Sequence, residues 1–353
     1  MRNEKPTLVL LIPGFAANES DTTCLPQQQA FAHALKNNFP GHYFIILAFQ
    51  YPFVSAPYIW KGIPVKPLNG KEKGGLRRLL TWSKAWMQLK KIKRENNVIG
   101  LLSFWCGECG LVGSRFARKN GLPHYNWILG QDARADNKYV HRINPRPEDL
   151  IALSDFLQAT FQKNHHILPA QVIPPGIAIS DFPPQQAPEK TIDILGAGSL
   201  IPLKQFPVFQ EIIAEVKKEF PYVKAMICGK GPEKENLQKQ ILSLQLQDQV
   251  ELKGEIAHPE LLRLMQSSRI LLHPSSYEGF SGVCMEALYA GADVISFHKP
   301  MNESIPHWHS MQSKEQMVEK VLEILRSKAE RRVHVLYHSI DDTANKVMKL
   351  FGH

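Results

Sequence analysis

Short, continuous apolar runs recur along the first half of the chain, each bounded by Gly, Pro or charged residues. Thr7 to Ile12 ends at Pro13-Gly14, and Tyr43 to Ala48, Val98 to Phe104, Tyr125 to Leu129 and Leu150 to Leu153 repeat the pattern. Runs this short and uniformly apolar are strands buried on both faces. Stretches with helical spacing, such as Gln27 to Lys36 and Leu111 to Lys119, lie between several of them. Alternating strand and helix predicts a parallel sheet with crossover helices. Between Ile173 and Thr191 the density of proline forbids regular structure and marks a change of domain. A second alternating series follows, with strands at Ile192 to Gly196, Val223 to Cys228, Val250 to Leu252, Ile270 to His273 and Asp293 to Ser296. Its helices include Phe206 to Glu219, Pro232 to Leu244, Pro259 to Gln266 and Val283 to Ala290. The expected fold class is α/β, with two doubly wound, Rossmann-like domains facing one another. The first spans residues 1–178 and the second 187–335, and a last helix, about 336–353, packs back onto the first.

Composition narrows this picture without redirecting it. The chain has 353 residues, 44% hydrophobic and 21% charged, which excludes disorder, collagen and simple coiled coil and leaves material for two cores. An excess of Lys and Arg over Asp and Glu, 42 against 33, favours acidic partners: phosphates, anionic lipid or nucleic acid. No nucleic-acid-binding module accompanies that charge. Five scattered cysteines fit a reduced cytoplasmic setting; Cys106 and Cys109 have C-x-x-C spacing but no second pair, and no metal is assigned. Met1 to Ala17 has the outline of a secretory leader, but Glu4 and Pro13-Gly14 interrupt it and a first strand is the better reading. No apolar stretch approaches the roughly 20 residues that span a bilayer.

In open parallel sheets, ligands bind beyond the carboxyl ends of the strands, where backbone amides and helix N-termini point at them. Three loops of the second domain qualify. They are Gly196 to Leu200 leading to Lys204, Gly229 to Pro232, and Glu278 to Gly282 opening a helix that carries Glu286. The first two fail the dinucleotide and P-loop spacings and read equally well as plain turns. The third is more informative, because Gly279 and Gly282 admit a ligand close to free amides at a helix start. Glu286 follows about 6 Å further along, placed to bond hydroxyls while the helix tip holds phosphate. A ribose diphosphate has that shape.

The stretch Pro274 to Ser296, PSSYEGFSGVCMEALYAGADVIS, resembles the signature of retaining GT-B glycosyltransferases of family 4, the glycosyl transferases group 1. GAGSLIPLK, CGKGPEKENL and VELKGEIAHPELLRLM precede it in that family's order, and VIPPGI resembles its interdomain entry. The resemblance covers residues 171 to 296 most strongly and implies a GT-B fold with a central cleft. It also implies transfer of a sugar from a nucleoside-diphosphate donor, with retention, to a glycan or lipid-linked glycan. The nucleotide sugar would be a co-substrate, with no cofactor and no obligatory metal, and no D-x-D triplet is present. By the same resemblance Glu278 contacts donor-sugar hydroxyls, Glu286 the ribose and Lys204 the diphosphate. Gly198, Ser199, Gly229, Gly231, Gly279, Phe280, Ser281 and Gly282 complete the donor site, with the Ser281-Gly282 amides on the leaving phosphate. Ser199 stands where relatives carry Arg, Gln205 where they carry Gly, Ala178 where they carry Asp, and FHKPMNESIPHW replaces a Gly-rich loop after Ser296.

In the amino-terminal domain, Gly14 is placed to close over the donor phosphates, with a tight strand-to-helix turn as the alternative. Asp132, within WILGQDAR, is the candidate acceptor-side catalytic residue, with buried capping as the equal alternative. Residues 76–96, LRRLLTWSKAWMQLKKIKREN, form a basic amphipathic helix. A core-facing helix with a solvated cationic side is favoured over peripheral contact with anionic membrane on the inner face. Two other functions compete with transfer. One is a nucleotide-binding protein of the same fold without activity, and the other an α/β hydrolase using Gly107-Glu108-Cys109 as a nucleophile elbow, for which Leu111 replaces the required glycine.

Overall fold

In a computed structural model, residues 2–184, 190–327 and 333–353 are described. The chain divides into two compact units, Met1–Gly176 with His338–His353, and Ile177–Tyr337. The division falls at 176/177, inside the proline-rich stretch read as a linker, so Pro174-Pro175-Gly176 belongs with the first unit and the rest, as far as it is described, with the second. Residues 185–189 of that stretch lie outside the described residues.

The first unit contains β1 (Asn3–Gly14), α1 (Pro26–Asn38), β2 (Tyr43–Tyr51), β3 (Tyr58–Trp60), β4 (Ile63–Pro67), α2 (Leu76–Glu95), β5 (Asn96–Phe104) and α3 (Glu108–Asn120). It continues with β6 (His124–Ile128), α4 (Lys138–Ile143), β7 (Leu150–Ala152), α5 (Asp155–His165) and β8 (Gln171–Val172). These strands form one eight-stranded sheet in the order β3-β4-β2-β1-β5-β6-β7-β8, parallel except for the β3–β4 pair at its edge. Alternation along β1 explains its uninterrupted apolar run. Val9 and Leu11 enter a core with Ala85, Leu89 and Ile92 of α2 and Val112 and Phe116 of α3, while Leu8 and Leu10 are equally buried on the other face. There Phe31 of α1 meets Phe104 and Trp127 edge-on at 5.9 and 5.1 Å.

The second unit contains β9 (Ile192–Ala197), α6 (Phe206–Lys217), β10 (Ala225–Cys228), α7 (Lys234–Ser243), β11 (Val250–Gly254), α8 (His258–Gln266), β12 (Ser268–His273), α9 (Gly282–Tyr289), β13 (Asp293–Ser296), β14 (Trp308–Ser310) and α10 (Lys314–Arg326). Its six strands run in the order β11-β10-β9-β12-β13-β14 with every pair parallel. Phe206, Phe209, Ile212, Ile213 and Val216 of α6 pack with Met317, Val321 and Leu325 of α10 and the inner residues of the strands. Central β9 therefore has β10 on one side and β12 on the other. The loops leaving these three strands are neighbours at one end of the sheet.

The last helix, α11 (Ile340–Leu350), returns to the first unit and packs along α1. Gly176 permits this return, since a Cβ there would lie 2.2 Å from the Ser339 carbonyl oxygen. Thr343 then donates to the Pro174 carbonyl at 3.0 Å. The glycine of VIPPGI thus answers a backbone crossing at the seam of the first unit.

Candidate active site

At the carboxyl end of the second sheet the loop after β9 and the loop after β10 are laced together by their backbones. Gly198 N–H donates to the Cys228 carbonyl at 3.0 Å, and Leu200 N–H to that of Lys230 at 2.9 Å. Gly229, at φ +155°, sits so close that a Cβ would fall 1.8 Å from the Gly198 oxygen. The glycines 198, 229 and 231 therefore satisfy packing between two loops before any ligand is considered. Beyond Ser199, which is exposed, the chain makes one tight turn through Pro202–Lys204 and leaves it at Gln205, φ 50°. Ser276 N–H and the hydroxyls of Ser275 and Ser276 converge on the Leu203 carbonyl at 3.0, 3.2 and 3.2 Å. That convergence fastens the Lys204 turn to the Pro-Ser-Ser loop after β12.

The consequence is a compact charged cluster. The Lys204 side chain runs past Gly198 and its ammonium pairs directly with the carboxylate of Glu278. The same carboxylate lies 2.9 Å from Nε2 of His273, the buried last residue of β12, and Ser281 Oγ lies 3.4 Å from that nitrogen. Burial lowers the basicity of His273, so the neutral ring donates its Nε2 proton to Glu278. Burial alone would raise the Glu278 carboxyl, but the hydrogen bond from His273 and the charge of Lys204 outweigh it and hold Glu278 well below the usual carboxylate range. Glu278 is thus ionised, with a cation in contact. Ser281 precedes the first turn of α9, whose N–H groups and dipole favour an anion. Within that helix Glu286 meets His258 Nε2 at 2.9 Å, and this hydrogen bond raises His258 above the ordinary imidazole value.

The structure thus brings together Lys204, Glu278, Ser281, Gly282 and the glycines of the first two loops. Glu286 lies one turn into the same helix. Phe280 is buried with its ring against Trp308 and Tyr337, each 5.8 Å away, so any ligand contact falls to its backbone. Lys230 turns to Glu255 at 2.6 Å. Among the described residues, no group of three His, Cys, Asp or Glu side chains forms a metal-binding cluster. His273 and His258 were absent from the candidates. The available signals were the position of His273 at the end of an apolar strand just before the Pro-Ser-Ser motif, and that of His258 at the start of a helix opened by Pro259.

Gly14 and Asp132 belong to the first unit. Gly14 ends β1 and is followed by buried Phe15 and Ala16, with Phe15 N–H bonded to the Tyr51 carbonyl at 3.1 Å, an ordinary strand-to-loop exit. Asp132 is buried, and its two oxygens accept from the backbone N–H groups of Cys106, Leu129 and Gly130 at 2.9, 3.1 and 2.9 Å. Burial pushes its carboxyl up to about 6 in spite of those amides. Asp132 caps no helix; its buried carboxylate ties the loop after β5 to the loop after β6. The hydrolase elbow also gives way: Cys109 is buried, burial holds its thiol well above the usual range, and Glu108 accepts from Gln50 and Trp82 and pairs with Arg78.

Two Rossmann-like units, each a predominantly parallel sheet flanked by helices, define a GT-B fold. Residues 179–337, most of the second unit, match the model of the family described as Glycosyl transferases group 1. The phosphatidylinositol N-acetylglucosaminyltransferase gpi3 subunit of Schizosaccharomyces pombe is 31% identical over 127 residues, 35% of this chain and 28% of that protein. The 2-deoxystreptamine N-acetyl-D-glucosaminyltransferase of Niallia circulans is 29% identical over 103 residues, 29% of this chain and 26% of that protein. The match thus spans less than a third of either relative. Anabaena HepE, solved in complex with UDP and glucose, superposes with a TM-score of 0.68 at 14% identity, covering 98% of this chain and 97% of that one. That likeness shows the fold.

Proposed function

We propose that the chain transfers N-acetylglucosamine from its UDP conjugate to a glycan or lipid-linked glycan, with retention of configuration and without a metal. The sugar is suggested by the relatives named for N-acetylglucosaminyl transfer, and the nucleotide by the UDP of a structural neighbour. The observation that carries the reading is the Lys204–Glu278 ion pair beside the opening amides of α9. As the bond from the anomeric carbon to the diphosphate breaks, negative charge grows on the leaving oxygen. Fixed positive charge at that point lowers the barrier without reorganisation. Lys204 and the Ser281-Gly282 amides supply it, and Ser199 adds one neutral hydrogen bond where relatives carry Arg.

The acceptor oxygen arrives on the face the diphosphate leaves, and its proton passes to the departing phosphate oxygen. Glu278, kept ionised, accepts from donor-sugar hydroxyls, while His273 fixes the carboxylate through its Nε2–H. Glu286 exchanges its bond with His258 for the ribose hydroxyls. The base rests by Gly229 to Gly231 and the strand after Val250. Asp132 serves here by holding three backbone amides, outside the chemistry.

A thermal-shift panel of UDP, GDP, ADP, CMP and dTDP tests the donor, since specific binding stabilises in proportion to ln(1 + [L]/Kd). UDP is expected to raise the melting temperature most; a shift by GDP or ADP alone overturns the base assignment. Proton NMR of the product and an assay in EDTA test the rest: an inverted linkage contradicts retention, and activity lost to the chelator contradicts metal independence.

A further inference from the structure

One face of the first unit carries an apolar surface outside the residues assigned to the transfer reaction. In α2 the buried stripe is Thr81, Ala85, Leu89 and Ile92, one face at about 100° per residue. Leu76, Leu79, Leu80 and Met87 lie on the opposite side and are 81%, 51%, 62% and 61% exposed. The core-facing reading of this helix therefore accounts for one face only. Two more exposed apolar side chains, Phe53 and Val54, stand in the loop after β2. That loop is joined to the one entering α2 by the Asn69 Nδ2 to Ser55 Oγ bond at 3.2 Å. The two loops leave parallel neighbours β2 and β4 at the same end of the sheet. Six of the thirteen large apolar residues exposed among the described residues are thus gathered on one rim, which decides against chance scatter.

Cations surround them. Lys71, Lys73, Arg77, Lys84, Lys90 and Lys91 are all exposed and in no ion pair among the described residues, with Glu72 the acid between the first two. Beside the helix, a surface groove of about 680 Å³ is lined by Trp82, Trp86, Val112 and Arg115, where amphipathic rings sit next to a further cation. The rim is held in place by Glu108 at the start of α3, which accepts from Trp82 at 3.2 Å and pairs with Arg78 at 2.8 Å.

We propose that this rim docks on an anionic lipid surface, with the leucines and Phe53 entering the headgroup boundary and the lysines meeting lipid charge. Apolar residues interleaved with cations suit such an interface. A second copy of the chain suits it poorly, because a two-fold contact would set the same lysines against one another. Because the first unit's carboxyl-end loops form the rim, docking sets those loops at the membrane, whatever the chemistry of the second unit.

The test is co-sedimentation of the full chain with phosphatidylcholine vesicles with and without phosphatidylglycerol, at low and high salt. The chain is expected to pellet only with the anionic vesicles and to be released by salt. The double variant Leu79→Glu/Leu80→Glu should lower the partition coefficient at least about tenfold at an unchanged melting temperature, since both side chains already face water. Lys84→Glu/Lys90→Glu, which keeps the apolar rim, should weaken binding by a smaller factor and reduce its salt dependence. Equal binding of the leucine variant, equal binding to neutral vesicles, or no binding at all overturns the proposal. So does a dimer in sedimentation velocity that dissociates in the leucine variant, which would assign the face to a second copy.

Discussion

Both units place carboxylates beyond the carboxyl ends of their strands and hold them in opposite ways. In the second, Glu278 and Glu286 are met by side chains: Lys204 and His273 for one, His258 for the other. In the first, Asp132 is met by three backbone amides from two separate loops. A carboxylate paired with a side chain can trade that partner for a ligand while the chain keeps its path. One that closes two loops cannot be released without opening them. The contrast separates a site poised for exchange from a clamp, and each half of it can be broken separately.

The largest effect is expected at Lys204. With Ser199 offering only a neutral hydrogen bond, Lys204→Ala should lower turnover at least about a hundredfold, close to 2.7 kcal/mol of transition-state stabilisation, with a smaller loss in donor binding. Ser199→Arg should restore part of it, read by steady-state transfer for the single and double variants. Near-wild-type turnover in Lys204→Ala would place another cation, such as Lys299, on the diphosphate.

For the clamp the readout is stability. Asp132→Ala leaves three buried amides without their acceptor and should cost about 2 kcal/mol or more in urea unfolding. Donor KM measured well below the melting transition should hold. If instead turnover collapses while the unfolding midpoint stays, Asp132 belongs to the chemistry and the contrast fails.

Smaller effects sharpen the exchange half. Gln205 occupies a left-handed conformation at φ 50°, so Gln205→Gly should stabilise the chain by about 1 kcal/mol or less. The His258–Glu286 pair makes a pH statement. His258 has a folded value raised above the ordinary 6.5, so its contribution is fully present below 6.5 and is lost as pH rises through the higher folded value. His258→Gln should flatten stability across that window by less than about 1 kcal/mol, with thermal melts at matched ionic strength as the readout.

The same contrast explains how much the sequence disclosed. Strands such as Asp293–Ser296 and Ile192–Ala197 are apolar on both faces, and their pattern survives without context. Tyr58–Trp60 and β14 are three residues long, too short for a periodicity to be read, and in Ile63–Pro67 two prolines obscure the alternation of buried Ile63, Val65 and Pro67 with Pro64 and Lys66. In the second unit the site's chemistry lies in two short consecutive stretches, the loop after β9 and the loop after β12 with the first turns of α9, so Lys204, Glu278 and Glu286 were visible in sequence. His273, five residues before Glu278, ends an apolar strand and reads as core, and His258 meets Glu286 only because α8 packs beside α9. Asp132 carries the opposite lesson, because a carboxylate after a strand looks alike in sequence whether it faces a substrate or three amides. In α2 the apolar residues do not share one broad face: Leu89 and Ile92 are buried, while Leu76, Leu79, Leu80 and Met87 face outward on the opposite side.

The central claim is that the paired carboxylates of the second unit form a nucleotide-sugar site, and Glu286 tests it with least dependence on the acceptor. Isothermal titration of UDP into the full chain should show saturable binding that weakens about tenfold or more in Glu286→Ala, roughly 1.4 kcal/mol, with the melting temperature of the free variant near that of the wild type. Equal affinity in the two proteins would contradict the account.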